Sequence, residues 1–146
     1  MLNFNRLSNH IKLKEMKTKM IWANLAVKDI QKTIQFYSGL GFRQNGQETD
    51  ELVSFSFAEN NFIINFFIAK RLENALKGKL TNTLNENEII FSLSAESREE
   101  VEQWVEIVQK AGGKIISEPE NYEKGYTFTF ADPDGHKFNF LYWPGM

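Results

Sequence analysis

The sequence predicts an α+β fold in which two tandem βαβββ modules form curved mixed sheets around a cleft, with the helices outside. Each half of the chain contains a strand, a helix and three further strands, in that order. Landmarks recur at similar spacing: Asp29 and Ser97 (97 − 29 = 68), and Gly41 and Gly113 (113 − 41 = 72). A repeat of this length indicates a duplicated structural unit. The 146 residues suffice for one domain with a substantial core.

The first module begins with an apolar strand at 20–27. Asp29 is a favourable N-cap for the helix that follows, and Ile30 and Tyr37 lie on its apolar face. Gly41 is typical of a residue that follows a helix C-terminus. Three more strands are predicted at Phe42–Asn45, Leu52–Phe57 and Phe62–Ile68.

The second module repeats these elements. A strand at 89–95 precedes a capping box, in which Ser97 is the N-cap and Glu100 is the third helical residue. The helix continues with apolar residues at helical spacing and is ended by Gly112 and Gly113. The remaining strands are predicted at Lys114–Ser117, Tyr126–Phe130 and Lys137–Tyr142. The segment 132–135 (DPDG) has the composition of a tight turn between the last two strands.

These elements divide the chain into four parts. The predicted boundaries are a flexible N-terminal extension at 1–19 and a single domain at 20–146, made of module 1 (20–68), a linker (69–87) and module 2 (88–146). The extension is polar and basic, and a weak amphipathic helix is the alternative interpretation. In the linker, 71–76 is predicted to form a short helix and the Asn- and Thr-rich remainder to be mobile. We interpret it as a plain connection, with a lid or a partner surface as the alternative.

Composition excludes several functional classes. The net charge of −2 lacks the basic excess of a nucleic-acid-binding protein. No apolar run approaches the ~20 residues that span a bilayer, so no membrane partner is predicted. The chain has no cysteine, which excludes disulfides and thiolate chemistry and suits a reducing cytoplasm. Twenty aromatic residues (13 Phe, 4 Tyr and 3 Trp) can fill a core and line a pocket for a small molecule.

Four short segments carry a family resemblance. They are LAVKD at 25–29, IQFY at 34–37, LGF at 40–42 and, above all, FADPDGH at 130–136. Together with the duplication they make residues 20–142 resemble the vicinal oxygen chelate superfamily of glyoxalases, bleomycin resistance proteins and dioxygenases. Residues 97–101 and 134–136 are also similar to a bacterial branch of predicted lactoylglutathione lyases. The resemblance implies a substrate cleft, often a homodimer and, in many members, a divalent metal that acts as a Lewis acid.

The family's four metal-ligand positions transfer onto Trp22, Asn65, Ile90 and Asn139, where His, Glu or Gln would be usual. None of these four side chains is a normal ligand for zinc, nickel or iron. The chain has two histidines, His10 in the extension and His136 after the turn. We therefore predict no cofactor and no metal site, with a divalent metal as the less favoured alternative. His136 is interpreted as a residue that caps or stiffens the turn.

The inward strand positions define the predicted ligand site. Alternation places Trp22 and Asn24 on one face of the first strand, and Asn65 and Phe67 on one face of the fourth. Asn139 is the equivalent of Asn65 in the second module (139 − 65 = 74). These five residues are predicted to bind a planar or amphipathic small molecule. As alternatives, Trp22 fills the core, and the two amides bond to each other or to backbone.

Three functional hypotheses follow. The first is a metal-free protein, homodimeric by resemblance, that binds or sequesters a small organic molecule, and the acidic balance favours a cationic one. The second is a divergent enzyme of the lyase, isomerase or dioxygenase kind. The third is an interaction domain with a vestigial cavity. The sequence identifies no catalytic residue: Ser92 and Ser94 have no visible base.

Overall fold

The computed structural model describes residues 16–146, and most of the predicted extension at 1–19 therefore lies outside the described residues. Residues 16–20 are exposed and have no regular structure. The strands are β1 (Trp22–Val27), β2 (Arg43–Gln44), β3 (Leu52–Phe57), β4 (Phe62–Ile68), β5 (Ile90–Ala95), β6 (Lys114–Tyr122), β7 (Gly125–Ala131) and β8 (Lys137–Tyr142). The helices are α1 (Ile30–Gly39), α2 (Ala69–Leu76) and α3 (Arg98–Lys110).

Two four-stranded mixed sheets confirm the predicted α+β fold and its duplication. Their strand orders are β1-β4-β3-β2 and β5-β8-β7-β6. The first strand of each module pairs in parallel with the last, and the other pairs are antiparallel. Parallel pairing requires a long crossover, which α1 and α3 begin. The two sheets do not join into a closed barrel within the described residues.

Both module helices begin at the predicted caps. The Asp29 side chain accepts a hydrogen bond from the Lys32 backbone N–H, and the Ser97 side chain accepts one from the Glu100 backbone N–H. The capping box differs from its usual form in one respect. The Glu100 carboxylate accepts from the backbone N–H of Glu96, the residue before the N-cap. Each cap satisfies a helix-end donor that the helix itself leaves without a partner.

The core lies between the helix-covered faces of the two sheets. Phe57 of β3 and Phe138 of β8 have ring centroids 6.4 Å apart, although they belong to different modules. Phe36 of α1 is 6.5 Å from Phe130 of β7. All four side chains are at most 2% exposed. Because side chains alternate along a strand, the remaining strand residues lie on the opposite face of each sheet, away from this core. We call these the outward faces.

The turn at 132–136 also joins the modules, through polar contacts. The Tyr37 hydroxyl donates to the Asp132 carboxylate at 2.6 Å, and the Lys28 backbone N–H donates to the Asp134 carboxylate at 2.9 Å. His136 Nε2 lies 2.7 Å from the carbonyl oxygen of Ala26. The predicted turn is confirmed by a hydrogen bond from the Gly135 N–H to the Asp132 carbonyl (3.0 Å). The turn therefore contributes polar contacts to the junction of the two modules.

Candidate functional site

A row of polar side chains crosses the outward face of the first sheet. Asn24, Asn65 and Ser54 are cross-strand neighbours on β1, β4 and β3. Asn65 Nδ2 donates to Asn24 Oδ1 at 3.0 Å, and the Ser54 hydroxyl donates to Asn65 Oδ1. This chain of bonds fixes the orientation of the Asn65 amide. Asn24 is exposed and the other two are partly buried, so a ligand can reach the row from solvent.

Aromatic side chains flank this row. Trp22 lies two residues before Asn24 on β1 and is 51% exposed. Phe67 lies two residues after Asn65 on β4, and the Arg71 guanidinium is 5.3 Å above its ring. A cation at this distance from a ring is attracted to the π face. The face thus combines flat apolar surfaces with oriented amide groups, which is the usual composition of a site for a small organic molecule.

An equivalent row crosses the outward face of the second sheet. Ser92, Asn139 and Thr129 are cross-strand neighbours on β5, β8 and β7. The two rows differ in hydrogen bonding. Asn139 Oδ1 is buried and has no hydrogen-bond partner among the described residues. In the first row, by contrast, the side-chain oxygens of Asn24 and Asn65 each accept a hydrogen bond from a neighbouring side chain. An unpaired buried acceptor costs free energy, so the second row has capacity for one more donor.

The structure brings together four of the five predicted ligand-binding residues. Trp22 and Asn24 on β1 lie beside Asn65 and Phe67 on β4, all on the outward face of the first sheet. Asn139 lies on the outward face of the second sheet. The two outward faces are on opposite sides of the shared core, so one chain does not place Asn139 opposite Asn65. The sequence could not determine this point, because it depends on how the modules pack.

The residues at the metal positions do not fit a divalent metal. The side chains of Trp22 and Ile90 offer no lone pair suited to a metal. The oxygen of Asn65 already accepts a hydrogen bond from Ser54. Asn139 has an oxygen without a partner among the described residues, but it lies on the other sheet and is a neutral amide, which is not a usual ligand for zinc, nickel or iron. Within residues 16–146 the structure contains no group of three or more His, Cys, Asp or Glu side chains arranged to bind a metal ion. We therefore assign no step of any chemistry to a metal at these positions.

His136 is 6% exposed and lies in the module junction, where its ring contacts the Ala26 carbonyl. Its backbone N–H donates to the Asp132 carboxylate at 2.9 Å. The interpretation that His136 stiffens the turn agrees with these two bonds. Its contact with the first module could not be predicted from a local pattern, because the two partners are 110 residues apart.

Three polar residues were not identified from the sequence as members of the rows, namely Ser54, Ser92 and Thr129, which are cross-strand neighbours of the asparagines. Ser54 and Thr129 lie in strands that were predicted correctly. Their neighbours across the sheet follow from strand register, which the single sequence does not specify. The duplication was the one available signal, because Ser54 and Thr129 are separated by 75 residues (129 − 54 = 75), close to the spacing of the two asparagines.

The duplicated βαβββ fold, with polar rows at equivalent positions of both modules, defines a two-module protein of the vicinal oxygen chelate architecture. Residues 19–140 match the family described as the glyoxalase/bleomycin resistance protein/dioxygenase superfamily. The chain belongs to this superfamily. None of the curated proteins matches it in sequence. No helix among the described residues has both the length and the apolar character needed to cross a membrane.

Several solved structures resemble the chain. A hypothetical protein, SA1046 from S. aureus, is 33% identical and superposes with a TM-score of 0.79, over 89% of this chain and 98% of that one. A glyoxalase-related enzyme from Fulvimarina pelagi has a TM-score of 0.76 at 18% identity, over 87% and 90% of the two chains. The fosfomycin resistance protein FosX from Mesorhizobium loti has a TM-score of 0.62 at 14% identity, over 87% and 93%. The last two likenesses concern the fold alone.

Proposed function

We propose that this protein binds a small organic molecule on its outward faces without a divalent metal. The observation that supports the proposal is the hydrogen-bonded row of Asn24, Asn65 and Ser54, in which Asn65 occupies a position where the resemblance implies a metal ligand. Oriented amides recognise a ligand through directed hydrogen bonds. The neighbouring Trp22 and Phe67 provide flat surfaces for its apolar part. Sequestration in the cytoplasm, and not chemical conversion, is the activity that these groups favour.

The complete site is proposed to form in a homodimer. One chain exposes the two polar rows on opposite sides of its core. A two-fold symmetric dimer places the first module of each protomer against the second module of its partner, and so creates two identical clefts. In each cleft the row of Asn65, whose side-chain oxygen already accepts a hydrogen bond, would face the row of Asn139. The free acceptor of Asn139 selects a ligand that carries an N–H or O–H group.

Native mass spectrometry of the untagged full chain tests the metal and the oligomeric state together. We expect a dimer without a stoichiometric divalent metal, because the four metal positions offer no suitable ligand set. An organic mass that stays bound to the dimer would identify the ligand class. A divalent metal at one per chain would contradict the proposal.

Bleomycin is the first binding probe, because the superfamily is named in part for resistance to it and because it joins a planar aromatic group to a cationic tail. Titration calorimetry with Asn65→Ala should show binding weakened by about tenfold, the effect of losing one or two hydrogen bonds. Asn61→Ala, an exposed residue in the β3–β4 turn, is the matched control and should bind like the wild type. Equal affinity for Asn65→Ala and wild type would exclude the row from the site.

The alternative function is a divergent enzyme of the lactoylglutathione lyase or dioxygenase kind. A lactoylglutathione lyase from Agrobacterium tumefaciens shares the fold at 13% identity with a TM-score of 0.62. Turnover of the hemithioacetal of methylglyoxal and glutathione, dependent on added metal, would establish this alternative and contradict the metal-free proposal. We expect no such turnover.

A further inference from the structure

A cavity lies beneath the linker that joins the modules, next to the edge of the outward face of the first sheet. Its volume is about 420 Å³, which is within the range of small-molecule sites. The linker, the middle of β1 and the start of β5 line it, together with His136 and Lys137 at the end of the turn between β7 and β8. Its apolar wall consists of Leu25, Leu72, Leu76, Leu80, Ile89 and Phe91.

Hydrogen bonds hold the linker over this cavity. The Thr83 hydroxyl donates to the carbonyl oxygen of Asp134 at 2.6 Å, and Asn87 Nδ2 donates to the Thr83 carbonyl at 3.0 Å. At the other end, Leu72 of α2 is buried in the domain with 8% exposure. The linker was predicted to contain a short helix, which α2 confirms. Its second half is attached to the turn of module 2, so the cavity has a defined roof.

Two apolar side chains of the wall remain exposed although they lie beside the cavity. Leu76 is 59% exposed and Ile89 is 58% exposed. Exposed apolar side chains on the wall of a concave site are typical of a place where a ligand binds. A molecule in the cavity would cover both side chains, and this burial would contribute to its affinity.

The charges around the cavity balance. Lys79 and Lys137 contribute two positive charges, and Glu86 and Glu88 contribute two negative ones. Three of the polar groups already have partners: Lys137 Nζ donates to the Gly135 carbonyl at 2.8 Å, Glu86 accepts from the Thr81 hydroxyl at 3.0 Å, and the ring of His136 contacts the Ala26 carbonyl. A charged ligand would meet both signs of charge and would lose its hydration without one dominant partner.

We propose that this cavity binds an uncharged small molecule with an apolar body and a single hydrogen-bonding group. The proposal does not depend on the function of the outward faces, because the linker and the start of β5 form most of the cavity wall. Asn24 is the one residue of the polar row that also contributes to the cavity lining. The site is therefore a second binding site of the same chain, formed by the linker and by both modules.

A set of three probes with one alkyl chain tests the ligand class. Isothermal titration of the full-length protein with 1-octanol, octanoate and octylamine compares a neutral, an anionic and a cationic end on the same apolar body. We expect saturable binding of 1-octanol, with octanoate and octylamine each weaker by at least about tenfold because of their desolvation cost. Absence of saturable 1-octanol binding, or tighter binding of either ion, would overturn the proposal.

Two matched variants on the linker locate the binding. Leu76→Lys places a charge at the cavity wall and should weaken 1-octanol binding by at least about tenfold. Leu84→Lys makes the same change on the same linker, at a side chain that is 55% exposed and does not line this cavity, and should leave 1-octanol binding unchanged. Because both leucines are exposed, both variants should fold. Equal 1-octanol affinity in the two variants would place the binding elsewhere and contradict the assignment.

Discussion

At the scale of single residues, the Tyr37–Asp132 pair is the buried polar contact that most directly joins the modules. Both side chains are at most 4% exposed, and the hydroxyl donates to the carboxylate at 2.6 Å. Burial, together with the nearby Asp132 charge, raises the pKa of Tyr37 well above 10.0. Burial likewise raises the pKa of Asp132, against the opposing effect of His136 and of the bond from Tyr37. The pair thus retains its proton on the phenol and its hydrogen bond throughout the neutral range.

Tyr37→Phe should lower the free energy of unfolding by about 1–3 kcal/mol at about pH 8, because it leaves a buried carboxylate with one donor fewer. The pKa of Tyr37 is raised in the folded state, so its contribution is fully present below the unfolded pKa of 10.0 and is lost as pH rises further. The difference in the free energy of unfolding between the wild type and Tyr37→Phe should therefore be smaller at about pH 11 than at about pH 8. Urea titrations at both pH values measure it.

The control for this prediction is Tyr126→Phe. The Tyr126 hydroxyl also donates to a carboxylate, that of Glu102, and this bond raises the pKa of Tyr126. That pair is exposed, and solvent screening weakens such contacts, so the urea midpoint should not change. A wild-type midpoint for Tyr37→Phe would contradict the role assigned to the buried pair.

At the scale of elements, Gly135 determines how closely the linker approaches the turn between β7 and β8. Its φ of +90° is a conformation that favours glycine, and an added Cβ would lie 2.5 Å from the Thr83 carbonyl oxygen. Gly112, after α3, has a φ of +93° and no atom within 4 Å of an added Cβ. The two glycines therefore have the same backbone requirement, and Gly135 alone of these two meets the linker.

Gly135→Ala should destabilise the fold more than Gly112→Ala. Each substitution carries the backbone strain, of the order of 1 kcal/mol, and Gly135→Ala adds the displacement of the linker from the turn. Thermal unfolding of the two variants gives the comparison. Faster amide hydrogen exchange in the linker for Gly135→Ala, and not for Gly112→Ala, would show that the additional loss of stability comes from displacement of the linker. Equal melting temperatures and equal exchange would contradict this account.

At the scale of the whole molecule, the elements could be predicted more completely than the packing between them. The predicted bounds of β3, β4 and β8 agree with the structure, because alternating or continuous apolar runs with clear turns delimit them. β6 continues to Tyr122, beyond the predicted end at Ser117, and two register shifts interrupt its pairing with β7. Such bulges disrupt the alternation by which a strand is recognised in a sequence.

The residues of the candidate site on the outward faces could be predicted in part, but their relative orientation could not. The duplication relates Asn65 to Asn139 and so indicates both rows. Their opposite orientation depends on contacts between distant residues, such as Phe57 and Phe138, which no local pattern specifies. The cavity under the linker depends on the same long-range packing, because its wall comes from the linker and from both modules. Local periodicity predicts elements, and their assembly requires the three-dimensional structure.

The outward faces determine the last prediction, that the protein is a homodimer. Trp22 on the first sheet is 51% exposed and Ile90 on the second is 48% exposed, and a second chain can cover both. Light scattering should give a mass near twice 17.0 kDa. Ile90→Lys should weaken the dimer by at least about tenfold through the buried charge, whereas Ile107→Lys, at a partly exposed residue of α3, should leave it intact. A monomeric wild type, or an Ile90→Lys dimer of unchanged affinity, would mean that the polar rows do not face each other across two chains.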